Sequence, residues 1–333
     1  MREAIARMQP PRWLRTREAG LLGLDLLLLA AIAPVFPAFL RPVNLAGLFD
    51  DTALLILLAL GEMLVLLTRG VDLSIAANLA FTGMVVALLN QYHPGLGLVP
   101  VLVLSVLMGA ALGAVNGLLV WLLRIPSIVV TLGTLSIYRG AVYLASGGKW
   151  VNSNQMSPAF LGLVRLQLGG VSMLSWTAIM CAVLVAVFLR RTVRGRNLYA
   201  AGNNPAAAIY AGIDVGVMQG AAFLIAGAIA GLCGYLWVSR YAVAYTDVAS
   251  GFELQVIAAC VIGGVSISGG VGSVAGVVLG ALFLGIIKNA LPLVGVSPFL
   301  QMAVSGIVIT GAVLINARGA QASALRILER RPA

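Results

Sequence analysis

Few residues in this sequence could carry out covalent chemistry, and they do not form a catalytic pattern. The single histidine, His93, stands next to Pro94, so an HExxH metalloprotease pattern is impossible and a serine–histidine pair is not expected. No G-x-x-x-x-G-K-[ST] stretch is present, and neither Lys149 nor Lys288 follows a phosphate-binding glycine loop. We therefore expect a chain that is not an enzyme, does not hydrolyse ATP and binds no cofactor or metal.

A second group of polar residues could bind a small neutral solute. These are Asp72, Ser74, Asn78, Asn116, Thr131, Tyr138 and Arg139. All lie in or beside apolar segments, and polar groups inside a membrane usually face a partner or a cavity. Hydroxyl and amide groups suit the hydroxyls of a sugar, so we interpret them as candidates for a substrate pathway. The alternatives are interhelical hydrogen bonds and, for Glu62 with Arg139, an ion pair.

The composition predicts an all-α integral membrane protein. Of the 333 residues, 61% are hydrophobic and 10% are charged, whereas soluble domains average about 45–50% and about 25%. These values exclude a soluble globular enzyme, a disordered chain and a fibrous protein. The three cysteines are scattered through apolar stretches, so neither a disulfide framework nor a metal site is expected.

Ten apolar segments are candidates for membrane spans, because about 20 apolar residues cross a bilayer. They lie at 20–39, 53–68, 74–90, 97–123, 127–145, 171–190, 217–239, 253–268, 272–291 and 298–316. Residues 1–19 then form a basic N-terminal tail, residues 20–316 the transmembrane domain and residues 317–333 a C-terminal tail. The longest loop on the side of the termini is 190–216.

The arginines and lysines predict the orientation. With both termini in the cytoplasm, fifteen arginines lie on the cytoplasmic face. They are Arg2, Arg7, Arg12, Arg15, Arg17, Arg69, Arg124, Arg190, Arg191, Arg194, Arg196, Arg318, Arg326, Arg330 and Arg331. The opposite face has only Arg41, Lys149, Arg165 and Arg240. Basic residues concentrate in cytoplasmic loops, so this asymmetry indicates a multi-pass protein with both termini in the cytoplasm.

Glycines interrupt or line several spans. Thr68–Ser74 joins the second and third spans, and Ser266–Gly272 joins the eighth and ninth. Paired breaks in two halves are typical of a transport pathway built from related units, although two tight hairpins are the alternative. Gly109, Gly113 and Gly117 form a small-xxx-small row that favours close helix packing, and span nine has a similar row.

The loop at 190–216 contains a short helix that requires a partner. Asn204 is a good N-cap, Pro205 suits the first turn and Gly212 suits a C-terminal stop, which predicts a helix over Pro205–Ala211. Two turns are not stable alone in water. Its apolar surface, which includes Ile209 and Tyr210, indicates docking into a groove of another protein. Lying flat on its own transmembrane domain or on the bilayer is the alternative.

Four ordered motifs now identify a family. Gly195–Ile213 reads G-R-N-x-Y-A-x-G-x-N-x-x-A-A-x-x-A-G-I, which resembles the cytoplasmic signature of permease subunits of ribose-type sugar-importing ABC transporters. Gly70–Ser74 resembles the family's G-G-I-D-L-S, and Ile125–Thr134 resembles its I-P-x-F-I-x-T-L-G. Gly251–Ser273 resembles its G-x-E-L…I-G-G-x-x-x-x-G-G-x-G-S. The similarity covers about residues 44–316 of this branched-chain amino acid/ribose-type permease family.

The resemblance implies an architecture, a set of partners and a coupling element. The fold would be a type II-like permease of about ten helices in the bacterial inner membrane. Partners would be cytoplasmic ATPase subunits that hydrolyse ATP with Mg²⁺, a second permease subunit and a periplasmic sugar-binding protein, with no nucleic acid. Asn203–Gly212 would be the coupling helix. The implied ATPase-coupling residues are Arg196, Asn197, Gly202, Asn203, Asn204, Pro205, Ala206, Ala207, Tyr210 and Gly212.

Within the family, three stretches favour rhamnose as the imported sugar. Leu67–Ala80, Ser146–Asn152 and Trp237–Glu253 look most like rhamnose-importer permeases. Permeases for autoinducer-2, ribose or another sugar are alternatives. A self-sufficient proton-coupled transporter using Glu62, Asp72 and Arg139 is the alternative from another class.

A binding protein would need a docking surface on the outer face. The loop at 145–170 combines aromatic, polar and basic residues, and acidic residues follow the seventh span. The docking candidates are Lys149, Trp150, Asp247 and Glu253. A plain solvated loop is the alternative.

Overall fold

The computed structural model describes residues 17–297 and residues 300, 303, 306, 307, 310 and 311. These last six residues are helical and belong to the tenth predicted span, 298–316. The rest of that span, residues 1–16 of the predicted N-terminal tail and all of the predicted C-terminal tail lie outside the described residues.

Helices dominate the described part of the chain. They are α1 (Arg17–Ile32), α2 (Pro42–Leu67), α3 (Ile75–Tyr92), α4 (Leu98–Leu122), α5 (Ser127–Ser146), α6 (Pro158–Gly162), α7 (Met173–Arg191), α8 (Val193–Asn203), α9 (Pro205–Tyr210), α10 (Val215–Tyr241), α11 (Phe252–Ile262) and α12 (Val274–Ala290). The short strands are β1 (Val151–Asn152), β2 (Gln167–Leu168), β3 (Val171–Ser172) and β4 (Val243–Ala244). Antiparallel pairs form between β1 and β4 and between β2 and β3.

Six helical segments of the described chain are long and apolar enough to cross a membrane. They are Ile75–Tyr92, Leu98–Leu122, Ser127–Ser146, Met173–Arg191, Val215–Tyr241 and Val274–Val294. The all-α membrane fold is therefore confirmed, whereas the number of ten spans stays a prediction. Two predicted spans are shorter than expected, because α1 ends at Ile32 after 16 residues and α11 has only 11 residues. These lengths correspond to about 24 Å and about 16 Å of helix, against about 30 Å of hydrocarbon.

The innermost element of the fold is α2. Every residue from Thr52 to Leu67 is buried by protein atoms. It packs against α7, α10, α11 and α12. Lipid is as apolar as leucine, so close packing rather than the removal of apolar surface from water must hold such a helix. Gly61 allows this contact, because a β-carbon there would already lie 3.2 Å from Ala226 Cα.

Glycines also set the crossing of α4 and α10, as the small-xxx-small row predicts. A β-carbon on Gly109 would lie 2.4 Å from the carbonyl oxygen of Gly227 and 2.5 Å from Gly231 Cα. One on Gly113 would lie 2.2 Å from the carbonyl oxygen of Phe223. The two backbones are therefore in direct contact, and the predicted ridge packing is confirmed.

The start of α2 differs from the prediction. The helix begins at Pro42 rather than near residue 53, because Asp50 and Asp51 lower the hydropathy of a stretch that is nonetheless helical. Ser172 and Ser175 donate hydrogen bonds to Asp50. Arg240 donates to Asp51 at 2.9 Å. These contacts attach α2 to α7 and α10 at one end of the bundle.

Candidate functional site

The predicted coupling helix is present as α9. Asn204 accepts a hydrogen bond from the Ala207 N–H at 3.1 Å, and Pro205 occupies the first turn. Gly212, with φ of +78°, ends the helix in the left-handed conformation that favours glycine. The Ile213 N–H then donates to the Ala208 carbonyl at 2.9 Å. The predicted helix over Pro205–Ala211 is confirmed within one residue.

The apolar side chains of α9 are exposed. Tyr210 is 93% exposed and Ile209 is 62% exposed, whereas Ala208 is the buried residue of the helix. A groove of about 990 Å³ lies between Ile209 and the turn between α4 and α5, with Trp121 on its wall. The helix is buried at Ala208 and presents Ala206, Ala207, Ile209 and Tyr210 as an exposed apolar surface.

A second helix, α8, was missing from the sequence interpretation. Thr192 caps it by accepting a hydrogen bond from the Gly195 N–H at 2.9 Å. Of the predicted coupling residues that it contains, Arg196 is exposed and Asn197 is half-buried. The sequence does contain a signal for this helix, because a threonine that can cap it precedes eleven residues without proline.

The joint between α8 and α9 meets both glycine-containing breaks. A β-carbon on Gly202 would lie 1.7 Å from the Leu67 carbonyl oxygen and 2.6 Å from the Gly270 nitrogen. The Gly270 N–H donates to the same Leu67 carbonyl at 2.9 Å. We call this meeting of residues 67–70, 202–203 and 269–272 the three-way junction. Sequence reasoning predicted each break but did not predict that the two breaks touch.

Side chains reinforce the three-way junction. Arg69 donates from Nε to the Gly202 carbonyl at 2.7 Å and from Nη2 to the Asn203 carbonyl at 3.2 Å. The Tyr199 hydroxyl donates to the Gly272 carbonyl at 3.0 Å. Burial raises the pKa of Tyr199 above its ordinary value. The sequence interpretation counted Arg69 only as an orientation charge.

Most of the predicted pathway residues form hydrogen bonds inside the chain. Asp72 Oδ1 accepts from the Ser74 N–H at 2.9 Å and from its hydroxyl at 2.6 Å. Asn116 Nδ2 donates to Ser74 Oγ at 2.8 Å. The Asp72 N–H in turn donates to Glu62 Oε1 at 3.0 Å. These four residues, each at most 2% exposed, form one buried network at the first break.

The remaining neutral candidates bond to backbone. Asn78, Thr131 and Tyr138 donate to carbonyl groups of neighbouring elements over 2.8–3.1 Å. All three are buried, which fits the alternative of interhelical hydrogen bonds. Their role in a substrate pathway stays a prediction.

The alternative of an ion pair between Glu62 and Arg139 is not found in the structure. The first break brings the Asp72 amide to Glu62 instead. The Arg139 guanidinium donates to the carbonyl groups of Val248 and Ala249, in the turn before α11. Among the described residues, the ion pair found is Arg240–Asp51.

The chain matches a protein-family model described as "Branched-chain amino acid transport system / permease component" over residues 44–313. That match covers most of the sequence and agrees with the resemblance read from the motifs. The chain belongs to this permease family. It is accordingly a multi-pass protein of the inner membrane and a transport subunit rather than an enzyme.

Relatives resemble the permease over nearly its whole length. It is 38% identical to the autoinducer 2 import system permease protein LsrC of Enterobacter sp. (strain 638), over 93% of this chain and 89% of the relative. It is 34% identical to the L-arabinose ABC transporter permease protein AraH of Azospirillum brasilense, over 94% and 91%. No solved structure matches the chain.

The four docking candidates lie at the opposite end of the permease from α9. Pairing of β1 with β4 brings Trp150 against Tyr245, with ring centroids 5.5 Å apart. Lys149, Trp150 and Asp247 are exposed, whereas Glu253 is half-buried and its Oε2 atom has no hydrogen-bond partner among the described residues. The residues therefore share one end of the permease, and docking of a binding protein there stays a prediction.

The Asp72→Asn variant separates a structural role from a pathway role. We expect normal assembly, because the amide oxygen can still accept both bonds from Ser74, together with reduced uptake, because the carboxylate belongs to the predicted substrate pathway. Asp72→Ala loses both acceptors and should destabilise the permease by about 1–3 kcal/mol. Thermal unfolding of the two variants measures their stability, and uptake assays measure their transport. Normal uptake by the asparagine variant would assign Asp72 to the turn alone.

Proposed function

We propose that the permease imports a monosaccharide-sized, polyhydroxylated solute and is driven by a separate ABC-type ATPase that binds α9. The observation that carries this proposal is the exposed apolar surface of α9, a helix capped at both ends and joined through Gly202 to the core of the fold. A two-turn helix with such a surface is not stable alone. Docking into a groove of another protein would cover it, as in other helix-in-groove complexes.

The coupling role explains the location of α9. A displacement of α9 reaches the three-way junction within a few residues, because Gly202 and Asn203 come directly before the N-cap of α9. Leu67, the last residue of α2, lies in the same contact. Movement of α9 would therefore reach α2, the most enclosed helix of the fold. Alternating access would follow when two permease subunits switch together.

The relatives support the class of substrate. One similar permease is named for autoinducer 2 and another for L-arabinose, and both names denote small polar solutes. Rhamnose, favoured by three stretches of the sequence, belongs to the same chemical class, and we retain it as one of three candidates. A periplasmic binding protein would supply most of the discrimination among them, docking at the end that carries Lys149, Trp150, Asp247 and Glu253.

The orientation also belongs to the proposal. The start of α1 lies beside the second break, since Ser273 donates to Glu18 at 2.7 Å. Arg69, Arg124 and the arginines of the α7–α8 region occur at this end. We place it in the cytoplasm, because basic residues favour that side, and both termini with it.

ATP-driven uptake tests the proposal. Proteoliposomes containing the permease, its ATPase and its binding protein should take up labelled L-rhamnose, L-arabinose or autoinducer 2 only when ATP is present. Permease alone under an imposed pH gradient is the matched control and should take up none of them. Uptake by the permease alone would instead support the proton-coupled class and contradict the coupling role of α9.

A further inference from the structure

The backbone at Arg69 is unfavourable for an arginine. Its φ of +65° lies in the left-handed region, which glycine adopts freely and residues with a β-carbon avoid. The residue directly follows the end of α2 and begins the first break. A turn of this shape needs no arginine, so the reason for the side chain must lie in what it contacts.

The Arg69 side chain directly bridges the first break to the joint between α8 and α9. Its two hydrogen bonds end on the carbonyl groups of consecutive residues, Gly202 and Asn203, which lead into α9. Its aliphatic part also lies against the second break, because a β-carbon on Gly269 would be 2.5 Å from Arg69 Cγ. The Arg69 side chain thus connects its own segment of the three-way junction to the other two segments.

The first break leads from Arg69 into the buried polar network. Three residues after Arg69, the Asp72 N–H donates to Glu62 Oε1 inside α2, and Asp72 Oδ1 accepts from the residue that precedes α3. A displacement of Arg69 therefore shifts the connection between the ends of α2 and α3. These bonds form a continuous path from α9 to the interior of the bundle.

We propose that Arg69 is the positioning residue that transmits the displacement of α9 to the first break. The proposal rests on the proposed function and adds to it the side chain that carries the motion. Without the guanidinium, α9 would still bind the ATPase, because Arg69 is not part of the exposed apolar surface. The movement would then reach the α2–α3 connection only through the backbone contacts of Gly202.

Arg124 offers a matched control in the same region. It is also an arginine with positive φ, +54°, and it lies on the wall of the groove beside α9. Its side chain is exposed, and no hydrogen bond from it to another described residue is found. Arg124→Gly therefore removes an equal charge and relieves equal backbone strain without breaking a bridge between elements.

The test compares solute uptake with ATP hydrolysis in proteoliposomes that contain the complete importer. We expect Arg69→Gly to retain ATPase binding and ATP hydrolysis but to transport about ten-fold less solute per ATP, given the loss of two charge-assisted hydrogen bonds. The solute is labelled L-rhamnose, L-arabinose or autoinducer 2, whichever the wild-type importer takes up. Arg69→Lys should recover part of this ratio, and Arg124→Gly should keep the wild-type ratio.

Three results would overturn the proposal. The first is a wild-type ratio in Arg69→Gly, and the second is an equal fall in Arg124→Gly. The third is failure of both Arg69→Gly and Arg69→Gln to assemble, which would assign Arg69 to stability. Absence of ATP-driven uptake by the wild-type importer would be a failure of the proposed function itself, and it is measured before any variant.

Discussion

Replacing Gly113 by alanine is expected to remove folded permease from the membrane. The new β-carbon would lie 2.2 Å from the Phe223 carbonyl oxygen and 2.9 Å from Gly227 Cα. Both are backbone atoms, so no flexible side chain can move aside, and α4 must separate from α10. Overpacking of this kind costs about 1–3 kcal/mol where side chains can adjust, and the rigid contact here should cost at least as much. The yield of monodisperse permease in mild detergent measures the effect.

Gly133→Ala is the matched control. Gly133 also lies in the middle of a helix, α5, but no atom of the described part of the chain lies within 4 Å of the position of its β-carbon. Alanine favours a helix over glycine by about 1 kcal/mol, so this variant should be produced at the wild-type level or above. Equal thermal stability of Gly113→Ala and the wild type would show that α4 and α10 are not in backbone contact.

Replacing Ala207 by aspartate is expected to abolish binding of the ATPase while leaving the permease folded. Ala207 is exposed and lies in the first turn of α9, where a carboxylate is compatible with the helix dipole. The helix itself should therefore persist. In an apolar groove the same carboxylate would be buried without a partner, which costs several kcal/mol.

Co-purification of the ATPase with tagged permease measures this effect. Ala207→Asn serves as the control, because asparagine has the size of aspartate without its charge. Gly212→Val tests the same surface in another way. Gly212 has a φ of +78°, which disfavours valine, so this variant should displace the end of α9. Recovery of ATPase at the wild-type level with Ala207→Asp would contradict the coupling role.

The prediction of α9 succeeded because its signals are local. Asn204, Pro205 and Gly212 each act within one turn of the residue itself, through a cap, a fixed φ and a left-handed stop. The small-xxx-small row on α4 succeeded for a similar reason, because glycine spacing alone exposes the backbone of one helix face. Neither prediction depended on which element packs against the helix.

Predictions that depended on a partner inside the chain were less successful. The charges of Glu62 and Arg139 left an ion pair between them open as an alternative, yet each bonds to backbone groups of a turn. Hydropathy also misplaced the start of α2, because Asp50 and Asp51 are solvated or bonded at one end of a helix that continues through them. Charge and hydropathy describe a residue, whereas its partner depends on the path of the whole chain.

The sequence by itself determined the membrane class, the permease family, the position of the short helix α9 and the two glycine-containing breaks. Those features depend on composition and on spacings of a few residues. Only the tertiary structure decided that both breaks meet α9 at the three-way junction and that Arg69 bridges them. Residues 69, 202 and 270 are far apart in the sequence and meet only because the helices between them cross the fold and come back. No local pattern in the sequence determines which of these segments become neighbours.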